Sequence, residues 1–310
     1  STTMLMERVE EVPFIYNGVT YKTWVKIVGD LEKSIRTPVI ALHGGPGLSH
    51  DYMNPHIDLA INSSIPVIFY DQIGSARSSH FVSYRGIAPP NTPDEAPAIT
   101  IDLFVAELTN LINHLKISAF DIVGHSWGGV LGVEYAIRVQ PPGLKHLVLV
   151  SSLASMALWG QSVMQLSASV VPEDMRSELV QPSSMGKHRE ALNSLHAVYG
   201  CTCVPVPDEV KRSLDYAASE EEICDTTVPQ KMFGGEFGTW SCIGRLHHVL
   251  VPTLIINGRK DLAQDFVVQP FFDGIAKVKW VRMENSSHMA IWEERERYMS
   301  ILDDFLGACI

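Results

Sequence analysis

Residues 120–137, FDIVGHSWGGVLGVEYAI, run an apolar block into Gly124-His125-Ser126-Trp127-Gly128, then resume with small and apolar residues at helical spacing. The first half has the composition of a buried strand and the second that of a helix. G-x-S-x-G at such a junction is the nucleophile elbow, a turn that holds its serine in a strained backbone conformation. The turn is too tight for ordinary neighbours, and Gly124 and Gly128 supply residues without a Cβ. The following helix would aim its free N–H groups at the reaction centre. The competing reading is a tight strand–helix packing turn with no chemistry.

On both sides of this stretch, short apolar runs alternate with longer periodic ones. Residues 20–29 alternate like a strand after the hairpin signal Asn17-Gly18, while 38–44 and 65–71 are nearly continuous apolar runs, as in strands buried on both faces. Residues 99–115 carry leucines at helical spacing behind Thr100 as N-cap, and further strands are expected at 119–124, 144–152, 252–258 and 278–284. A helix is expected around 264–275 and another at the C-terminus. This order predicts an α/β fold, a mostly parallel central sheet flanked by helices. The pattern breaks over 153–245, where EDMRSELV and DEVKRSLDYAASEEE read as amphipathic helices, each after a proline. Residues 1–152 and 246–310 are therefore expected to form the core and 153–245 a helical cap over the ligand-binding edge of the sheet.

A serine hydroxyl needs a base to take its proton, and the base needs an orienting acid. On this architecture the chain order is serine, acid, histidine. Asp261 follows a late strand in LIINGRKDLA, and His288 follows the last strand in VRMENSSHMA. Asp265 is the rival acid, placed within the next helix. The oxyanion calls for two backbone N–H groups. Trp127 would give one, and the glycines of Leu42-His43-Gly44-Gly45-Pro46-Gly47 the other, with Gly45 first choice and Gly44 second. Pro46 is a candidate for a cis peptide.

Bulk properties narrow the partners. The chain has 310 residues, 46% hydrophobic and 19% charged, with a net charge of −11. That charge argues against nucleic acid or an anionic membrane surface as the main partner. No signal-peptide pattern or spanning apolar run is visible, and five cysteines suggest a reducing compartment, so a cytoplasmic protein is expected. Cys201-Thr-Cys203 lacks the second pair a metal site needs. No metal or other cofactor is called for.

HGGPG (43–47), YDQIGSARS (70–78), GHSWGG (124–129) and ENSSHM (284–289) resemble the proline iminopeptidase group of α/β-hydrolases, which includes tricorn-interacting aminopeptidases and L-amino acid amidases. The resemblance runs through the whole chain, with HGGPGLSHDYM near its start and EERERYMSILDDFL at its end also family-like. It implies the α/β-hydrolase fold and a cap glutamate that binds the substrate's free α-amino group. MFGGEFGTW (232–240) maps that role onto Glu236, with helix capping as the alternative, while Glu220-Glu221-Glu222 reads as a solvated face. Two departures stand out. Leu262 occupies the place of a second glutamate, and Ala76 the place of a glycine.

The expected activity is cleavage of a small amide or an N-terminal residue through Ser126, His288 and Asp261, on a small-molecule or short peptide substrate. Met156, Trp159, Met164, Phe233, Phe237 and Trp240 would shape an apolar pocket. The alternatives are an esterase or lactonase on a specialised metabolite without a free amine, and a non-catalytic receptor on the same fold. An epoxide hydrolase would need an aspartate in place of Ser126.

Overall fold

The computed structural model describes residues 5–81, 97–179, 183, 185–218 and 225–307. Asn17 and Gly18 both adopt positive φ, 50° and 80°, the conformation of a two-residue hairpin turn. They join β1 (Glu7–Tyr16) to β2 (Val19–Val28). β2 then pairs antiparallel with β4 (Val67–Asp71). The remaining pairings are parallel, through β3 (Val39–Leu42), β5 (Phe120–His125), β6 (Leu144–Val150), β7 (Thr253–Gly258) and β8 (Val278–Met283).

The strand order is β1-β2-β4-β3-β5-β6-β7-β8. The chain leaves β3 towards one edge and returns on its other side as β5. The C-terminal ends of β3 and β5 therefore flank a switch point, where open parallel sheets form a crevice. Those two ends lead into HGGPG and into Ser126.

Side chains of successive strand residues face opposite layers. Ile40 and Leu42 join a cluster with Leu103, Phe104, Val130 and Leu131 from α2 (Ile101–His114) and α3 (Trp127–Arg138). Val39 and Ala41 face the other layer, with Leu59 of α1 (Ile57–Ser63). Covered on both faces, these strands needed the unbroken apolar runs seen in the sequence.

Among the described residues of 153–245 the regular structure is helical: α4 (Met156–Val170), α5 (Met185–Tyr199), α6 (Asp208–Ala218), α7 (Thr227–Phe233) and short 3-10 turns. One of those turns, Glu173–Leu179, stands where an amphipathic α-helix was expected. The Glu220–Glu222 run lies outside the described residues. The core resumes with α8 (Asp265–Gly274), α9 (Ala290–Glu293) and α10 (Arg295–Gly307). Tyr298 and Leu302 of α10 pack with Leu59. Among the described residues no helix is long and apolar enough to cross a membrane.

Candidate active site

Ser126 ends β5 at φ 54° and ψ −120°, a conformation that non-glycine residues rarely adopt. The crossing of β5 and α3 leaves no room beside it. A Cβ on Gly124 would overlap the Gly128 carbonyl, and one on Gly128 would overlap the Leu42 carbonyl oxygen. Two hydrogen bonds pin the turn: the Ser126 N–H donates to Val150 at 2.9 Å, and the Ser152 hydroxyl donates to the Ser126 carbonyl at 2.9 Å.

Asp261 and His288 meet, with Nδ1 of the imidazole 2.7 Å from Oδ1 of the carboxylate. The carboxylate, buried at 1% exposure, also accepts the Ser151 hydroxyl at 2.6 Å and the Gly258 and Ala263 N–H groups at 2.9 and 2.8 Å. The rival, Asp265, is committed elsewhere, to Asn257 at 3.0 Å and Arg282 at 2.9 Å. The His288 ring lies 4.7 Å from that of His125, the residue before Ser126, and 5.7 Å from the indole of Trp159 on α4. The Ser126 hydroxyl makes no hydrogen bond to another described residue. In unliganded hydrolases the nucleophile–base bond often tightens only when substrate binds.

The HGGPG loop lies directly against the serine: a Cβ on Gly44 would sit 3.2 Å from the Ser126 Cβ. His43 holds the loop from below. Its Nδ1 bonds the Gly44 carbonyl at 2.9 Å, and its Nε2 accepts the Gln72 N–H at 3.0 Å. Burial pushes the His43 pKa down to about 4, which fits this neutral tautomer. Gln72 completes the knot, donating to the His43 carbonyl at 2.9 Å and accepting the Trp127 indole N–H at 2.8 Å. The Gly44 N–H donates to the Tyr52 hydroxyl at 2.6 Å and so has no hydrogen left for an oxyanion. The Gly45 and Trp127 N–H groups, by contrast, make no hydrogen bond to another described residue. Gly45 adopts φ 119°, and the Gly45–Pro46 peptide is cis.

A family model described as the alpha/beta hydrolase fold matches residues 37–178. A curated proline iminopeptidase from Lactiplantibacillus plantarum is 30% identical over 307 residues, covering 94% of this chain and 99% of its own. This chain belongs to the proline iminopeptidase-like family of α/β-hydrolases. It is a hydrolase. Among solved structures of this family, the proline iminopeptidase of Mycobacterium smegmatis is 32% identical, with a TM-score of 0.79 over 97% of this chain and 98% of that one. The structure of VinJ is 31% identical, with a TM-score of 0.82 over 97% and 99%.

Glu236, implied by its motif as an amine anchor, is engaged here with α2 and α3. Its Oε2 accepts the Ile101 N–H at 3.0 Å, and its Oε1 lies 3.4 Å from Arg138 at the far end of α3 from Ser126. It caps α2 at a distance. Thr100, expected to do so, holds the N-cap position without a side-chain hydrogen bond. Its neighbour Phe237 borders the elbow instead, 4.9 Å from the Trp127 ring. Leu262, next to Asp261, is 3% exposed in an apolar cluster with Val171, Ala191 and Leu195. Ala76 takes φ 45°, the left-handed region that favours glycine. Of the expected pocket residues, Trp159 reaches His288 and Phe237 reaches Trp127, while Met164 and Phe233 are exposed.

Sequence reasoning missed Ser151, Ser152, Tyr52 and Gln72. The one available signal for the serines was that LVLVSS ends a strand whose C-terminal tip faces the crevice.

Proposed function

We propose that this protein is a serine hydrolase acting on a small amide or ester through an acyl-enzyme. Ser126 Oγ attacks the substrate carbonyl while Nε2 of His288 takes its proton. Asp261 holds the Nδ1–H and stabilises the imidazolium, and the Gly45 and Trp127 N–H groups hold the oxyanion. His288 then protonates the leaving amine or alcohol, and water releases the acyl group by the same steps in reverse. The helical segment 153–245 acts as the cap, with Trp159 beside the base.

The observation that carries this reading is the 2.7 Å contact between His288 and a buried aspartate that three further donors hold in place. Such an arrangement fixes both the tautomer and the direction of the imidazole. A fluorophosphonate probe tests it: the wild type should be labelled and Ser126→Ala should not. Failure to label the wild type would leave a non-catalytic binding protein.

A second reading concerns the acyl group. The relatives named proline iminopeptidase suggest a substrate with a free N-terminal amine. Glu236 bound to Arg138, and Leu262 walled in by aliphatic side chains, favour an acyl group without one. An ammonium gains little from an apolar wall and loses its hydration. Rates on L-proline p-nitroanilide, its N-acetylated form and p-nitrophenyl acetate separate the two. A preference for free-amine anilides would sink the second reading.

A further inference from the structure

Tyr52 takes no step in the chemistry above, yet it is fully buried and its hydroxyl lies between two segments of the site. That oxygen accepts the Gly44 N–H at 2.6 Å and lies 2.8 Å from Nδ1 of His125. On the other side of the same ring, Nε2 is 2.8 Å from the main-chain carbonyl of His288. A carbonyl only accepts, so Nε2 carries a hydrogen. Burial, with help from His288, drives the His125 pKa well below its usual range. The ring is therefore neutral, Nδ1 is bare, and the Tyr52 hydroxyl donates to it. Every hydrogen points one way, from Gly44 to Tyr52 to His125 to His288.

This chain of bonds leaves no donor or acceptor over, so it has one arrangement. It also bears on the oxyanion loop. The Gly44 carbonyl is held by His43, and its N–H by Tyr52. The Gly44–Gly45 peptide is trans, so the Gly45 N–H points opposite to that held carbonyl. A separate bond ties the same tyrosine to the histidine side of the site. The Trp292 indole, on the helix after His288, donates to the Tyr52 carbonyl at 2.8 Å.

We propose that Tyr52 and His125 are positioning residues: an uncharged, hydrogen-bonded strut that sets the Gly45 N–H and the His288 main chain on either side of Ser126. The proposal rests on the triad reading above. A phenylalanine would fill the same space and drop both bonds of the hydroxyl, which separates positioning from packing.

The test compares wild type, Ser126→Ala and Tyr52→Phe by active-site titration with a fluorophosphonate, hydrolysis of p-nitrophenyl acetate, and inhibition by phenylboronic acid, whose tetrahedral adduct occupies the oxyanion site. Tyr52→Phe should lower kcat per titrated site by about 10- to 100-fold, leave KM within about twofold, and weaken the boronate by a similar factor to kcat. A merely structural tyrosine would change the titrated fraction and the melting temperature but not kcat per site. Unchanged kcat and boronate affinity would overturn the strut. Should Tyr52→Phe not fold, His125→Asn keeps an acceptor for the hydroxyl, removes the donor to His288, and is judged by the same criteria. An unlabelled wild type would instead defeat the triad reading.

Discussion

Asp261 accepts four hydrogen bonds, and only one comes from His288. The Ser151 hydroxyl lies 110 positions away in the chain and supplies the shortest of them, at 2.6 Å. Ser151→Ala should therefore reduce kcat by about tenfold with little change in KM, at a stability cost of about 1 kcal/mol, read by steady-state kinetics and urea unfolding. Glu236 calls for the opposite outcome. Losing a cap costs about 1 kcal/mol, so Glu236→Ala should lower the melting temperature while kcat/KM on anilides and esters stays within about twofold. A selective loss on free-amine anilides would restore it as an amine anchor. The candidates Ser126, Asp261 and His288 were legible because each follows a strand in an order the chemistry dictates. Ser151, Ser152 and Tyr52 were not, because no local pattern distinguishes a serine or tyrosine whose partner lies on a distant strand.

The loop bearing His288 is held from two elements at once. Glu293 of α9 accepts the Ser287 N–H and hydroxyl at 2.8 and 2.5 Å, and the Thr202 N–H and hydroxyl at 2.8 and 2.7 Å. The His288 N–H itself donates to Tyr199, the last residue of α5, at 3.2 Å. The inserted helices are thus stitched to the base rather than simply laid over it. Glu293→Ala should release both loops and lower kcat by about tenfold or more, with Glu293→Gln intermediate because it keeps one acceptor oxygen. A kcat equal to wild type in both variants would show that the clamp is dispensable. A second tie comes from α6, whose Arg212 reaches Asp51 at 3.2 Å, while Arg77 bridges Asp51 and Asp71 at 2.9 and 3.0 Å. The helix at 208–218 was visible within a longer amphipathic pattern, and that at 265–274 as a helical stretch. Their docking was not, since it depends on partners far apart in sequence: an ion pair to Asp51 for the first and burial of Val267, Val268 and Phe271 in the core for the second.

Four histidines, His43, His56, His125 and His196, are held neutral in the fold. Burial takes His43, His56 and His196 to about 4 and His125 well below its usual range. An unfolded histidine titrates near 6.5, so between about 4 and 6.5 the unfolded chain binds protons that the folded one refuses. Stability from these groups is therefore complete above about pH 6.5 and declines as the pH falls towards 4, by up to about 1.4 kcal/mol per pH unit for each histidine. Glu107 works the other way. Burial raises it to about 7, despite bonds from Ile73 and Thr23, so the fold favours its protonated form and that single contribution fades as the pH rises from about 4.5 to 7. Asp121, raised by burial, acts in the same sense as Glu107, so with four imidazoles against two carboxyls urea unfolding at pH 5 and pH 7.5 should find the protein less stable at pH 5. Equal stability at both would mean that these imidazoles are hydrated in the native state.

The amino-acid order alone determined the strand–helix alternation and the tight turn at Ser126, and it pointed to the candidates Asp261 and His288, because local periodicity and turn chemistry act over a few residues. It was also enough to bring the HGGPG loop to the serine, since both adjoin strand ends at one crevice. Which carboxylate meets His288 and which is committed to other partners depended on the packed fold. Glu236 sits in a family-like motif, yet it turns to cap a helix 135 positions earlier in the chain. The role of a buried polar group is set by the partners that replace its lost water, and across such separations only the folded chain brings those partners within reach.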